Sequence, residues 1–408
     1  MHKQKNVIWS IVIAIGFLFF SYYITNLNFP ISGEKSLLYR FELIRNYLFP
    51  KENTVSDSIL LIDVSYDKTP VKAIDEYGLP IGDIQITDRQ KLLKLLQELK
   101  KRDDYKFILL DVFFGQKGET PQDSALFATI TSMPRIVIPC HSDEALADTS
   151  LKEKAGLADY MTTFKEGGFV KYPFMSEDGM SLPLKMYNEI TGRTIRKHWI
   201  FYTDGWLLTR KSLVLTFDIY TNSPYNGEGE KVLYFLGADI LGNEGEKGIM
   251  YEVQEMTKDK YIAIGAFQGE DNHSTYIGPV SGTLINLNAY FSLLHNHHVV
   301  SGTLAIVMFC AFFVLAYLTL TRQDLRGFAE TVTQQKSHLW RSRMIALSAL
   351  CSWIGYSLFL SMLCILTYTF LGEVYEIFIT STMFYLLSLA VKHADKIKKL
   401  TKIWKRNG

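Results

Sequence analysis

Cysteine is scarce in this 408-residue chain: there are four, and Cys310, Cys351 and Cys364 fall inside uncharged apolar runs. Cys140 stands alone in the polar region between those runs, which excludes a disulfide-stapled domain there. Also missing are any cysteine or histidine spacing of a zinc finger, the Walker phosphate loop, His-Glu-x-x-His and Gly-x-Ser-x-Gly. Excess charge of one sign is missing too. With 43 basic against 42 acidic residues the net charge is +1, and no nucleic-acid-binding signature remains. No internal repeat and no low-complexity tract is present.

What the chain does hold is uncharged apolar sequence, collected at its two ends. Residues 7–24 (VIWSIVIAIGFLFFSYYI) carry no charge over about the length that crosses a bilayer, with Tyr22 and Tyr23 at the place of an aromatic belt. No small-x-small cleavage site follows, so this reads as a retained anchor rather than a signal peptide. Three further runs cover residues 300–320, 344–371 and 374–391, which makes four expected spans. No Asp, Glu, Lys or Arg interrupts them before Glu373 and Glu376, and this argues against an ion or proton path through this chain alone.

The basic residues orient the spans. Lys3 and Lys5 precede the first, Arg322, Arg326, Lys336, Arg341 and Arg343 follow the second, and seven lysines and arginines from Lys392 to Arg406 follow the fourth. The positive-inside tendency makes all three segments cytoplasmic. The expected layout is a stub and first span over 1–25, an extracytoplasmic domain over 26–299 and a second span over 300–321. A cytoplasmic loop (322–343), the third and fourth spans (344–391) and a basic tail (392–408) complete it. In the tail Ile397, Leu400 and Trp404 share one helical face among lysines, which suits contact with anionic membrane lipid.

Within 26–299, SILLIDV (58–64), KFILLDVF (106–113), residues 135–139 and KYIAIGAF (260–267) are short β-rich apolar runs of the kind buried on both faces of a parallel sheet. Helices separate them. TDRQ at Thr87 has the form of a capping box before a leucine stripe, Asp123 can cap a helix through Leu126 and Ile130, and a last helix is expected over 281–294. The stretch 155–255, broken by glycine and asparagine, reads as an antiparallel insertion. The expected fold is thus α/β, with a mixed, mainly parallel sheet and an antiparallel insertion, plus four transmembrane helices.

Ligands of such sheets bind beyond the carboxyl ends of the strands, where Asp63, Asp111 and Asp271 all fall. With His273, Thr275 and Asp67 nearby in sequence, three readings stay open: an ion or small-molecule pocket, a catalytic centre, or a polar network that ties down loops. In the last, Arg89 neutralises Asp63 or Asp111. His295, His297 and His298 read as residues at the membrane surface, with proton or metal sensing as the alternative.

The chain resembles the type-2 CHASE domain, an extracytoplasmic sensory module of bacterial receptors. The likeness is carried by ILLIDVSYD with Asp63, the Thr87-Asp88-Arg89 helix start, FILLDVFF with Asp111 followed by Asp123, and IAIGAFQGEDNHSTYIGPVSGTLINLNAYFSLL with Asp271. EGGFVKYPFMSEDGM (166–180) is similar to the family's central Asp-Gly segment, and one span before and three after match its layout. The resemblance implies a multi-pass protein of the bacterial cytoplasmic membrane that senses a small molecule or ion, or docks a partner. It implies no cofactor and no enzyme activity. Only 392–408 follow the last expected span, so the output is expected from a separate membrane or cytoplasmic protein. The loop 322–343 or the basic tail suits reading by such a partner, the small residues Ser348, Ser352 and Gly355 of the third span offer a close-packing face, and a homo-oligomer is compatible. A structural subunit of an envelope complex and an outer-face metal-dependent hydrolase are the rival expectations.

Overall fold

The computed structural model describes residues 2–27, 34–49, 55–74, 79–115, 120–159, 161–162, 169–221, 223–226, 228–243, 246–253, 255–269, 271–321, 323, 338–375 and 377–391. Two compact units are present: Met1–Leu27 with Val300–Gly408, and Asn28–Val299. In chain order, α1 (His2–Thr25) belongs to the first unit, and α2 (Glu34–Leu48) opens the second. There follow β1 (Ile59–Asp63), the hairpin β2 (Lys68–Ile74) and β3 (Pro80–Thr87), α3 (Arg89–Arg102), β4 (Phe107–Asp111), α4 (Asp123–Ser132), β5 (Ile136–Cys140) and β6 (Ala155–Leu157). Next come β7 (Met161–Thr162), β8 (Phe169–Pro173), α5 (Leu182–Thr191), β9 (Ile195–His198), β10 (Phe201–Asp204), β11 (Leu207–Thr209) and β12 (Ser212–Val214). β13 (Leu233–Phe235), α6 (Ile249–Glu252), β14 (Tyr261–Gly265), β15 (Asn272–Thr275), β16 (Gly278–Ser281) and α7 (Gly282–Leu294) complete the unit. α8 (Gly302–Thr321), α9 (His338–Leu371) and α10 (Ile377–Val391) return to the first.

The main sheet has the order β13-β1-β14-β4-β5-β6, and its pairings are parallel. The four apolar runs expected as strands supply its centre, because only continuous apolar sequence suits strands covered on both faces. Leu60, Ile62, Ile108 and Leu110 point into a core with Leu92, Leu95 and Leu96 of α3 and Leu126 and Ile130 of α4. The alternate residues, among them Leu61, Leu109 and Ala263, face α5 and α7. Asp63, Gly265 and Asp111 are aligned in register and end this second set.

Several local expectations need correction. Asp88, not Thr87, caps α3: its Oδ1 accepts from the Gln90 and Lys91 amides at 3.0 Å, while Thr87 still belongs to β3. The carboxylate one residue closer to the helix takes the cap position. Gln122 takes the N-cap of α4, and Asp123 is its first residue, accepting instead from the Thr120 amide and hydroxyl at 2.9 Å. The antiparallel strands of the insertion form separate small sheets, β9 to β11 and β7, β8, β12, whereas β13 joins the parallel sheet. The hairpin β2–β3 and helix α2 were not expected.

In the first unit three helices are long and apolar enough to cross a membrane, Gln4–Thr25, Gly302–Thr321 and Leu350–Leu371. Only 17, 39 and 28 % of their most apolar stretches is buried, so most of each needs an apolar solvent. The fourth expected span is a shorter apolar helix, Ile377–Val391. Phe17 of α1 stacks on Phe384 of α10 at 4.0 Å, and Ser357 of α9 donates to Ser381 of α10 at 2.9 Å. Ser348 and Ser352 are buried within the chain. The basic tail and residues 322 and 324–337 lie outside the described residues, while 338–343 of the expected loop belong to α9.

Glycine 265 carries the packing of α7. A Cβ there would lie 2.0 Å from Thr283 Oγ1, so the first turn of α7 fits over the strand end only without a side chain. Gly265→Ala is expected to lower stability by about 2–3 kcal/mol through overpacking. Removing the opposing atoms with Thr283→Ala in the same chain recovers much of it, as thermal melting of the full chain in detergent will show.

Candidate functional site

The carboxyl edge of the sheet gathers part of the expected acidic set. Asp111 ends β4, and its Oδ2 accepts from Asn286 Nδ2 of α7 at 3.1 Å. Tyr172 of β8 donates its hydroxyl to Asn286 Oδ1 at 2.6 Å, which fixes the amide with its donor toward Asp111. Asp271 stands against Gly282, where a Cβ would meet its Oδ2 at 2.9 Å. Its Oδ1 lies 3.3 Å from His273 Nε2. His141, just past β5, pairs through Nδ1 with Asp159 at 2.7 Å and packs edge-on against Phe113.

Burial and the neighbouring Asp271 carboxylate push the Asp111 carboxyl up to about 6, against the pull of the Asn286 amide, the Thr283 hydroxyl and His141. Among the described residues no lysine or arginine pairs with Asp111 or Asp271. Two neighbouring carboxyls without a lysine or arginine partner among the described residues suit a ligand bringing positive charge or hydrogen-bond donors. Among the described residues no three His, Cys, Asp or Glu side chains group as a metal cage.

The other expected residues lie elsewhere. Asp63 shares the register row with Asp111 across Gly265, but its Oδ1 ties two loops, accepting from the Ser65 amide and hydroxyl and from the Phe267 amide. Arg89 neutralises neither Asp63 nor Asp111: it is on the opposite face, 3.7 Å from Asp123 and stacked over the Phe114 ring at 4.4 Å. Helix periodicity explains this, since α3 buries the face that carries Arg89 against α4. Burial lowers its guanidinium to about 10, with Asp123 opposing. Asp67 accepts from Lys91 at 2.6 Å and from the Gly237 amide at 3.0 Å. Thr275 closes the β15–β16 hairpin by donating to the Gly278 carbonyl at 2.7 Å. The loop from Asp271 to Ser281 is therefore largely a hairpin that delivers Asp271 and His273 to the edge.

A second cluster escapes sequence reading. Asp204, at the end of β10, accepts from the Tyr187 hydroxyl at 2.9 Å, from Arg193 at 2.9 Å and from His298 Nε2 at 3.1 Å. The His298 side chain is fully buried inside the domain rather than exposed. The carboxylate can only accept, so Nε2 carries the proton, and the buried Nδ1 has no partner among the described residues. Burial holds the imidazole below its ordinary range, against the pull of Asp204. The link spans 94 positions, and only Asp204 within TDG and the HNHH run marked it in the sequence.

No family model, no curated protein and no solved structure matches the chain.

Two outcomes follow. The folded Asp111 value lies above the unfolded 3.8, so its contribution to stability is full below about pH 4 and is lost as pH rises through about 6. Asp111→Asn keeps the acceptor for Asn286 and removes the ionisation. It is expected to exceed the parent by about 1–2 kcal/mol at pH 8 and to match it near pH 4, in melts of the full chain. Asp204→Asn strands Arg193 and alters the proton balance at His298, and is expected to cost about 2–3 kcal/mol at pH 8 in the same melts.

Proposed function

We propose that the chain is a multi-pass membrane receptor whose α/β domain, over 26–299, lies outside the cytoplasmic membrane and takes a small cationic or donor-rich ligand at Asp111, Asp271 and His273. The signal leaves through the apolar helices to a separate protein that supplies the output, with no catalysis by this chain. The resemblance of the Asp63, Asp111 and Asp271 segments to the type-2 CHASE module of bacterial receptors supports this reading, and the basic flanks of the spans support its orientation.

One observation carries it. Asn286, the contact of Asp111, sits on the second turn of α7, and that helix ends at Leu294 with only residues 295–301 before α8 begins at Gly302. A ligand that changes the charge at Asp111 acts directly on the helix that continues toward a span. Coupling of this type needs no new contact, only a different affinity for two positions of α7.

Orientation is tested with Cys140, which is partly exposed, whereas Cys310, Cys351 and Cys364 lie on the apolar helices. Burial raises the Cys140 thiol above its ordinary range, so labelling belongs at alkaline pH, where thiolate accumulates. A membrane-impermeant maleimide is expected to label intact cells, and Cys140→Ser to remove most of that signal. Labelling only after the cells are opened puts the domain in the cytosol and ends the receptor reading.

A further inference from the structure

The three-stranded meander β9–β11 carries features that neither the acidic edge nor the packing of the domain uses. Its two turns are two residues long and each holds an outward tryptophan, Trp199 at 82 % and Trp206 at 90 % exposure. In the second turn Gly205 takes the left-handed position, φ 61, while in the first Trp199 itself takes it, φ 55. A bulky side chain resists that backbone, and glycine or asparagine would hold it without strain. Trp199 is kept there at a cost to folding and without burial in return.

The register separates two faces. Ile195, Tyr202, Asp204 and Thr209 are turned inward and buried. The opposite face shows Arg196, His198, Phe201, Thr203 and Leu208, and neither the Arg196 nor the His198 side chain has a hydrogen bond or ion pair among the described residues. Beside it opens a cavity of about 610 Å³, lined among others by Arg193, Arg196, His198, Trp206 and Asn296. Arg193 is already committed to Asp204 and Asn296, which leaves Arg196 and His198 as the groups open to an anion.

Chain connectivity says what covers this face. Thr209 of β11 is bridged to Val299, and the Arg210 amide donates to the His298 carbonyl at 2.8 Å. Val299 is three residues from Gly302, the start of an apolar helix long enough to cross a bilayer, so the covalent chain allows at most about 11 Å between them. An α8 that spans the bilayer from Gly302 tethers Val299 over that distance to the headgroup layer. Exposed tryptophan with basic residues is the composition that settles in that layer.

We propose that this meander is a lipid-binding element: Trp199 and Trp206 lie at headgroup level, and the cavity beside Arg196 and His198 takes the phosphate of an anionic phospholipid. The inference goes beyond the receptor reading and does not depend on it, since it asks only that α8 spans the bilayer.

The test uses the full chain in nanodiscs of phosphatidylcholine with and without phosphatidylglycerol. The emission lost in Trp199→Phe, and separately in Trp206→Phe, isolates each indole. Each component is expected to be quenched by brominated lipid and shielded from aqueous iodide, with stronger lipid quenching when phosphatidylglycerol is present. Arg196→Ala with His198→Ala is expected to abolish that added effect while the melting temperature holds. Free iodide access to both indoles in phosphatidylglycerol discs overturns the proposal, as that surface then faces water or another protein. A phosphatidylglycerol effect unchanged in the double variant overturns the headgroup site.

Discussion

The carboxyl edge of the sheet depends on two places where a side chain cannot be. At Gly265 a Cβ would come 2.0 Å from Thr283 Oγ1, and at Gly282 one would meet the Asp271 carboxylate at 2.9 Å. Without these clearances the first turn of α7 could not lie over the end of β14 with Asp271 against it. Asn286 would then miss Asp111. The steric gap precedes the electrostatics: it lets a helix, two strand ends and a hairpin converge on one small volume, and the polar groups are fixed by that convergence.

The domain resolves its buried acids in two opposite ways. Asp204 receives donors from Tyr187, Arg193 and His298, with the guanidinium of Arg193 as its counter-charge. Asp111 receives one amide and faces another carboxylate. In a low-dielectric setting this raises the Asp111 carboxyl and favours its neutral form more than in water. The first arrangement is complete and belongs to the architecture. The second has no lysine or arginine partner among the described residues, and that unbalanced acid is what distinguishes a candidate site from a structural network.

The strands β1, β4, β5 and β14 were legible because each is a short continuous apolar run, a pattern forced on any strand covered by helices on both faces. α7 was legible too, from the apolar sequence after Ser281, which accepts from the Leu284 amide as a cap. β13 was not: three residues, Leu233–Phe235, carry no periodicity, and their place beside β1 is set by tertiary pairing alone. The same holds within the site. Strand-end acids such as Asp111 could be picked out by position, yet whether Asp63 would meet it depended on which loops claimed its oxygens. Arg89 was paired with the wrong acids because its nearness in sequence to the strand ends does not tell which sheet face it lies on; it shares the buried face of α3 that packs on α4, beside Asp123. His298 and Asp204 lie too far apart in the chain for any local pattern to join them.

The energetics of the proposed receptor constrain what its ligand must do. A carboxyl moved from 3.8 to about 6 stores on the order of 3 kcal/mol between its two ionisation states at most. Driving a two-state element from almost wholly one position to almost wholly the other takes about 5.5 kcal/mol of differential affinity. Proton exchange at Asp111 alone therefore falls short of a full switch in α7. A ligand has to engage Asp271 or His273 as well, or bond Asn286 directly, so that its contacts differ between the two positions of the helix. Under the proposed receptor reading, the hairpin that carries Asp271 and His273 supplies that further contact from the same edge as the start of α7, and Gly282 is what admits Asp271 there.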